Sequence, residues 1–297
     1  MNFNFLKFKK IYFFFSGILI LGSLVCLIIF GLKPGIDFTG GSILEVEYKQ
    51  ERPSNKTIEE KLADIDLGKI HVQPAGERGV ILRMKDIDED THQEVLQKLK
   101  EINEVEEKRF EAIGPAIGSE LKKTTKIVII FSLLAILLYI AFAFRRISQP
   151  VKSWQYGIAA LLALFHDVLI PLGVFSVLGK IYGIQITIPV VVALLTVLGY
   201  SINDTVVVFD RIRENLWKIT GISFEETVNK SFNQTLVRSI SASLTTLFPL
   251  TAIFFFGGET LKYFSLALII GIFLGTYSSI FIASSLLVSW SKWRKRA

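Results

Sequence analysis

The chain has 297 residues, 51% of them hydrophobic, 24 of them Phe and only 20% charged, which together with a positive mean hydropathy excludes a soluble two-domain protein. The formal net charge of +6 does not indicate a nucleic-acid binder, because the cations stand at the ends of apolar runs and not in one patch. Cys26, the single cysteine, excludes an internal disulfide framework.

Crossing roughly 30 Å of hydrocarbon takes about 20 helical residues. Six runs qualify: 11–32, 125–144, 157–179, 184–209, 237–256 and 263–288. Lys7, Lys9 and Lys10 precede the first run like the head of a signal peptide, but its apolar core is too long and no A-x-A site follows. Residues 1–10 therefore read as a cytoplasmic N-terminus and 11–32 as a retained span.

"GIDFTGGS", residues 35–42, follows directly. Gly35, Gly40 and Gly41 permit backbone angles closed to other residues, so with Asp37 the stretch reads as a hinge or a rigid junction. It opens the only large hydrophilic segment, 33–124, with 20 carboxylates against 15 Lys and Arg.

"GSILEVEY" alternates with Leu44, Val46 and Tyr48 on one face, which predicts a strand. "NKTIEEKLADI" predicts a short helix capped by Asn55 or Thr57, with Ile58, Leu62 and Ile65 inward. Two strands around "AGERG", an acid-capped helix burying Val95, Leu96 and Leu99, and a last strand "VEEKRFEAIG" complete a βαββαβ order. That is the ferredoxin-like arrangement, long enough to bury one modest core. His71 and His92 have no companions at metal spacing and read as surface or structural residues.

The third run carries His166 and Asp167 mid-way, either as part of a proton path or as a local pair tying helices together. The fourth carries Asp204 inside "GYSINDTVVVFDRIREN", about four residues inside the cytoplasmic end of the run and roughly 9 Å by helical rise from the Asp210 and Arg211 that mark the interface. An acidic group in hydrocarbon costs roughly 2.5 to 3.5 kcal/mol, so it is hidden, paired or protonated. Helical spacing puts Thr196, Tyr200, Asn203 and Asp204 on one polar stripe, expected to face protein, with Val206 and Val207 facing lipid. Ser201 and Thr205 are further polar neighbours.

Arg238, at the start of the fifth run with Ser241 and Thr245 on its face, is the expected partner of Asp204. As a functional pair the two form a protonation switch: loss of water favours the neutral acid, the guanidinium favours the carboxylate, and each state favours its own helix arrangement. As a structural pair, Asp204 staples two helices while Arg238 snorkels to headgroups.

Asp210 with Arg213 and Arg211 with Glu214 have the spacing of helical ion pairs. Residues 211–236 read as a cytoplasmic amphipathic segment along the membrane surface, with Phe224, Val228 and Phe232 on one side. Pro171 and Pro249 predict kinks, and Gly271 with Gly275 predicts close helix packing.

Arg145, Arg146, Lys152, Arg211, Arg213, Lys218 and Lys230 alternate with short loops holding only Lys180 and Lys262. The positive-inside rule then makes both termini cytoplasmic and puts 33–124 outside. The tail 289–297, with Lys292, Arg294, Lys295 and Arg296, suits anionic headgroups of the lipid bilayer, with no nucleic acid as partner. Nucleotide-binding loops, zinc-protease and serine-hydrolase signatures are missing from the sequence. No enzymatic activity, cofactor or metal is expected.

"GIDFTGGS" after the first run, "GYSINDTVVVFDRIREN" in the fourth, and "NQTLVRSI" with "FGGETL" beyond it resemble the SecD/SecF family of protein-translocase subunits, in its SecF branch, within the RND superfamily. The likeness covers essentially the whole chain; the fourth-run motif is highly specific, whereas the double-glycine junction alone also suits the SecD branch. The resemblance implies an RND-like half bundle of six helices with one outer domain in the bacterial inner membrane. It implies SecD, the SecYEG channel and exported unfolded preproteins as partners, and a role in drawing exported chains outward with the proton-motive force. It also implies that Asp204 and Arg238 serve ion coupling. The rival readings are an RND-type small-molecule or lipid exporter half and a non-transporting scaffold of the channel. Whether H⁺ or Na⁺ is the coupling ion stays open.

Overall fold

A computed structural model describes residues 4–143, 151–219 and 221–294. Phe144, Arg145, Arg146, Lys295 and Arg296 lie outside the described residues. The chain divides into two compact units: an α/β unit of 33–128 with 185–188, and a helical unit of 1–32, 129–184 and 189–297.

In the α/β unit, β1 (Gly41–Tyr48), α3 (Asn55–Lys61), β2 (His71–Ala75), β3 (Gly79–Met84), α4 (Glu89–Lys100) and β4 (Val105–Ile113) follow a four-residue helix, α2 (Ile36–Thr39). The strands form one antiparallel sheet in the order β2-β3-β1-β4, the ferredoxin-like order expected. Register puts Leu44 opposite both Leu82 and Phe110, so one sheet face is continuously apolar. Leu44, Val46 and Tyr48 are fully buried there with Ile58, Leu62, Val95 and Leu99 from the helices.

The cap of α3 is Ser54, whose hydroxyl accepts from the Thr57 amide at 3.1 Å, not Asn55 or Thr57. Asn55 is instead the first helical residue, and its amide side chain donates to the Val72 carbonyl at 3.2 Å. Asp88 caps α4 as the acid-rich sequence requires. His92 is buried and stacked on Phe110, with ring centroids 3.7 Å apart, while His71 is exposed.

Among the described residues, six helices are long and apolar enough to span a membrane. They are built from α1 (Lys9–Phe30), α5 (Pro115–Ala143), α6 (Ser153–Tyr182), α7 (Ile188–Lys218), α8 (Phe224–Phe256) and α9 (Glu259–Tyr277), the last continuing through a π-helical stretch, Ser278–Ala283, into α10 (Ser284–Arg294). Large apolar side chains on α1 and α5, such as Phe14 and Phe131, are exposed, as a lipid-facing surface requires. Phe5, Tyr156, Phe209 and Phe232 fill the helical core.

Several helices outrun their apolar runs. α5 starts at Pro115, a residue whose missing amide suits a first helical turn. Residues 211–236 are not a separate surface segment. Their first part completes α7, and their second opens α8 behind a Ser223–Glu226 capping box. The apolar side of that stretch packs on protein: Val228 and Phe232 are buried, and Phe232 stacks on Phe5 at 4.0 Å between centroids.

Gly271 and Gly275 seat α9 directly on α7. A Cβ on Gly271 would collide with Val197, and one on Gly275 would lie 3.0 Å from the Ser201 Cβ. The close-packing reading of this pair is the one found. Pro171 and Pro249 both sit inside continuous helices.

Candidate functional site: two buried carboxylates on adjoining helices

Asp204 sits on α7 at 5% exposure. The polar stripe expected around it splits. Ser201 and Thr205 are buried, whereas Thr196 and Asn203 are exposed on the surface of the single chain and Tyr200 is half-buried. Val206 and Val207 are half-buried too, not simply lipid-facing. Helical periodicity tells which residues share a face, but not which face turns inward, and here Asp204 lies at the border of the two.

Its polar neighbours on α8 are Arg238 and Ser239. Among the described residues no ion pair joins Asp204 to the Arg238 expected as its partner; further along α7, Arg213 pairs with Asp210 at 2.7 Å and Arg211 with Glu214 at 2.7 Å. The Ser239 hydroxyl lies beside the Asp204 carboxylate, outside close hydrogen-bond geometry, and both Asp204 Oδ2 and Ser239 Oγ are buried. Leaving such a group unsatisfied costs about 1 to 3 kcal/mol, more when it is charged. Ser239 was missed in the sequence; its one signal is that it adjoins Arg238.

A cavity of about 340 Å³ opens between α7 and α8 on the side of Asp204 nearer the α7 C-terminus. Arg238, Asp210, Arg211, Glu214 and Gln234 line it together with Val207. The charges and amides of this lining can hold water within a turn of Asp204.

His166 and Asp167 of α6 are buried to 1% and 0% exposure. Asp167 Oδ1 pairs with His166 Nδ1 at 2.8 Å. Asp167 Oδ2 accepts from Ser201 of α7 and from Ser278 at the head of the π-helical stretch, each at 2.6 Å. Next to them Thr205 and Ser279 share a 2.7 Å hydrogen bond, and Ser279 donates to the Ser201 carbonyl. One carboxylate thus fastens three helical elements, with π-type winding at the point of attachment. The serine pair 278–279 carries this network and was not singled out in the sequence, although two adjacent hydroxyls in an apolar run are a visible signal.

In the α/β unit the GIDFTGGS stretch is densely tied. Gly35 donates to the Ile186 carbonyl and Ile186 to the Lys33 carbonyl, both at 2.7 Å, as a parallel bridge between Pro34 and Ile186. Asp37 Oδ2 accepts from the Ile188 amide at 3.0 Å, capping the first turn of α7 from 151 residues upstream. A carboxylate at a helix N-terminus contributes about 0.3 to 1 kcal/mol, up to about 2 when partly buried. Gly40 and Gly41 adopt positive φ of 73° and 127°.

A family model described as "Protein export membrane protein SecD/SecF, C-terminal" matches residues 93–293, and one for the "SecD/SecF GG Motif" matches 27–51. The protein translocase subunit SecF of Thermobaculum terrenum is 43% identical over 96% of this chain and 92% of its own length. The same subunit of Anaerolinea thermophila is 38% identical over 98% and 96%. Among solved structures, SecDF of Thermus thermophilus, described as a translocon-associated membrane protein, superposes with a TM-score of 0.87 at 34% identity. That likeness covers 98% of this chain and 39% of the SecDF chain.

Proposed function

This chain belongs to the SecD/SecF family of protein export membrane proteins, and we propose that it couples the proton-motive force to late steps of protein export across the bacterial cytoplasmic membrane, working with SecD. It is a multi-pass, RND-like accessory subunit of Sec translocation. SecD enters as partner because the Thermus thermophilus relative is a SecDF, of which this chain matches 38%. The SecYEG channel and unfolded preproteins follow as the remaining partners, with both termini cytoplasmic and the α/β unit outside.

The observation that carries the reading is the buried carboxylate of Asp204 beside Arg238 and Ser239. In the cycle proposed, a proton from outside neutralises Asp204, weakens the attraction of Arg238 and lets α7 and α8 rearrange; release to the cavity lined by Arg238 and Asp210 restores the charge. One charge crossing 100 mV supplies about 2.3 kcal/mol, so a few protons per cycle suffice to displace a small domain. Ser201 and Thr205 hold α7 to its neighbours, and His166 with Asp167 forms a second ionisable centre behind it. Thr196 and Asn203 of α7, with Arg238, Ser241 and Thr245 of α8, leave a polar band exposed at membrane depth. Such a band calls for a protein neighbour in place of lipid, and SecD fits the need.

Export into inverted membrane vesicles, with the pH gradient and the sodium gradient collapsed separately, tests the reading. Loss of stimulation with the pH gradient alone is expected. Stimulation that survives collapse of both contradicts it and favours a scaffold.

A further inference from the structure

The GIDFTGGS junction carries more order than a connection between a span and a strand needs. Two hydrogen bonds join it to residues 186–188, Gly35 to the Ile186 carbonyl and the Ile188 amide to Asp37, and a third joins the Ile186 amide to Lys33 just before it. Gly35 has an ordinary φ of −75°, so its freedom of conformation is not what the site uses. Close approach is: a Cβ there would lie 3.0 Å from both the Ile186 carbonyl oxygen and the Thr187 methyl. Gly40 approaches the first residue of α5, where its Cβ would stand 2.8 Å from the Pro115 Cα, and Gly41 approaches β3, where its Cβ would stand 2.7 Å from the Met84 oxygen. Gly118 of α5 is as crowded in return, 2.7 Å from the Gly40 nitrogen.

One node therefore gathers the exit of α1, the entries of α5 and α7, the start of β1 and the end of β3. α7 begins inside the α/β unit at Ile188 and runs without a break to Asp204, about 24 Å along a helix at 1.5 Å per residue. We propose that this node is a clamp and not a hinge, with Asp37 as its positioning residue: it makes the first turn of α7 part of the α/β unit, so that a shift of α7 driven at Asp204 is delivered along the helix axis to that unit.

The physical ground is that a helix resists axial compression, whereas a loop of free glycines absorbs displacement. The hydrogen bonds at 186–188 remove that slack at the one place where α7 enters the unit. The Asp37 carboxylate is suited to the task because it holds a backbone amide at a helix start, where the helix dipole and an unsatisfied N–H both favour an anion. The proposal rests on Asp204 as the coupling group, and the experiments below separate the two.

The bridge partners Pro34 and Ile186 are the positions for a reversible cross-link. Pro34→Cys with Ile186→Cys, in a Cys26→Ser background, is assembled with its partner subunits in vesicles, and gradient-stimulated export is compared oxidised and reduced. A clamp predicts the same stimulation in both states, because the cross-link fixes what is already fixed. Stimulation lost on oxidation and restored by reductant overturns the proposal, since the junction then has to open.

Asp37→Ala and Asp37→Asn give the second measurement, alongside gradient-dependent labelling of a cysteine placed near Asp204. Asp37→Ala is expected to lose most of the gradient-stimulated export while the labelling still responds to the gradient, and Asp37→Asn, which keeps an acceptor oxygen, is expected to retain it. Full stimulation in Asp37→Ala overturns the clamp, as does loss of the labelling response together with export. If Asp204→Asn itself keeps full stimulation, the coupling reading has failed instead, whatever the Asp37 variants do.

Discussion

Ser201 of α7 donates a 2.6 Å hydrogen bond to Asp167 of α6, and Asp204, less than one turn further along α7, is buried beside Ser239 of α8. The two carboxylates stand in different conditions: Asp167 has both oxygens engaged, and Asp204 Oδ2 is buried without a close hydrogen bond. On the proposed reading that contrast divides the work: Asp167 holds α7 in place, and Asp204 changes its charge.

Removing the holding carboxylate strips partners from Ser201, Ser278 and His166 at once. Asp167→Ala is expected to lower the unfolding free energy in detergent by about 3 to 5 kcal/mol, the scale for breaking one side of a buried charged pair. Combined with Ser201→Ala it should be non-additive by about 0.5 to 3 kcal/mol, read by a double-mutant cycle of thermal unfolding. A relay role for His166 and Asp167 predicts otherwise: His166→Gln would then cut gradient-stimulated export with stability unchanged.

The α9 glycines set how near α7 lies. Gly271→Val would drive side-chain carbons into Val197, and overpacking of this kind costs about 1 to 3 kcal/mol. The expected result is a lower unfolding temperature and weaker gradient stimulation together. An unchanged temperature would mean that α9 moves away from α7 without penalty.

In the α/β unit, burial pushes the Tyr48 phenol up to about 12, and its hydroxyl is buried without a hydrogen bond. A folded-state pKa raised above the ordinary 10 contributes stability that is whole below pH 10 and is lost as the pH climbs from 10 toward 12. Tyr48→Phe should remove one phenol step at about 12 from an ultraviolet titration. It should also flatten the loss of stability in that window and leave stability at neutral pH equal or higher.

The α/β unit was the most legible part of the sequence, because a sheet with one buried face writes its register as alternation, and Leu44, Val46 and Tyr48 spell it out. Hydropathy located the membrane helices but not their ends. Phe224 and Val228 read as amphipathic whether they face lipid or protein, and only the stacking of Phe232 on Phe5 decides which. The stripe containing Asp204 was recognisable from spacing, while its division into buried Ser201 and exposed Asn203 depends on where α6, α8 and α9 pack. Asp37 as a cap was out of reach, since the amide it holds is 151 residues away. So was the missing Asp204–Arg238 ion pair, because opposite charges on adjoining helices predict attraction and not a distance.

The most direct test of the account is gradient-stimulated export by Asp204→Asn, assembled with its partner subunits in vesicles and compared with the parent chain at matched levels. The substitution fixes the site in an uncharged form of nearly the same shape. The account predicts that the subunits assemble normally and that stimulation by the gradient disappears while basal export persists. Stimulation equal to that of the parent chain would contradict it.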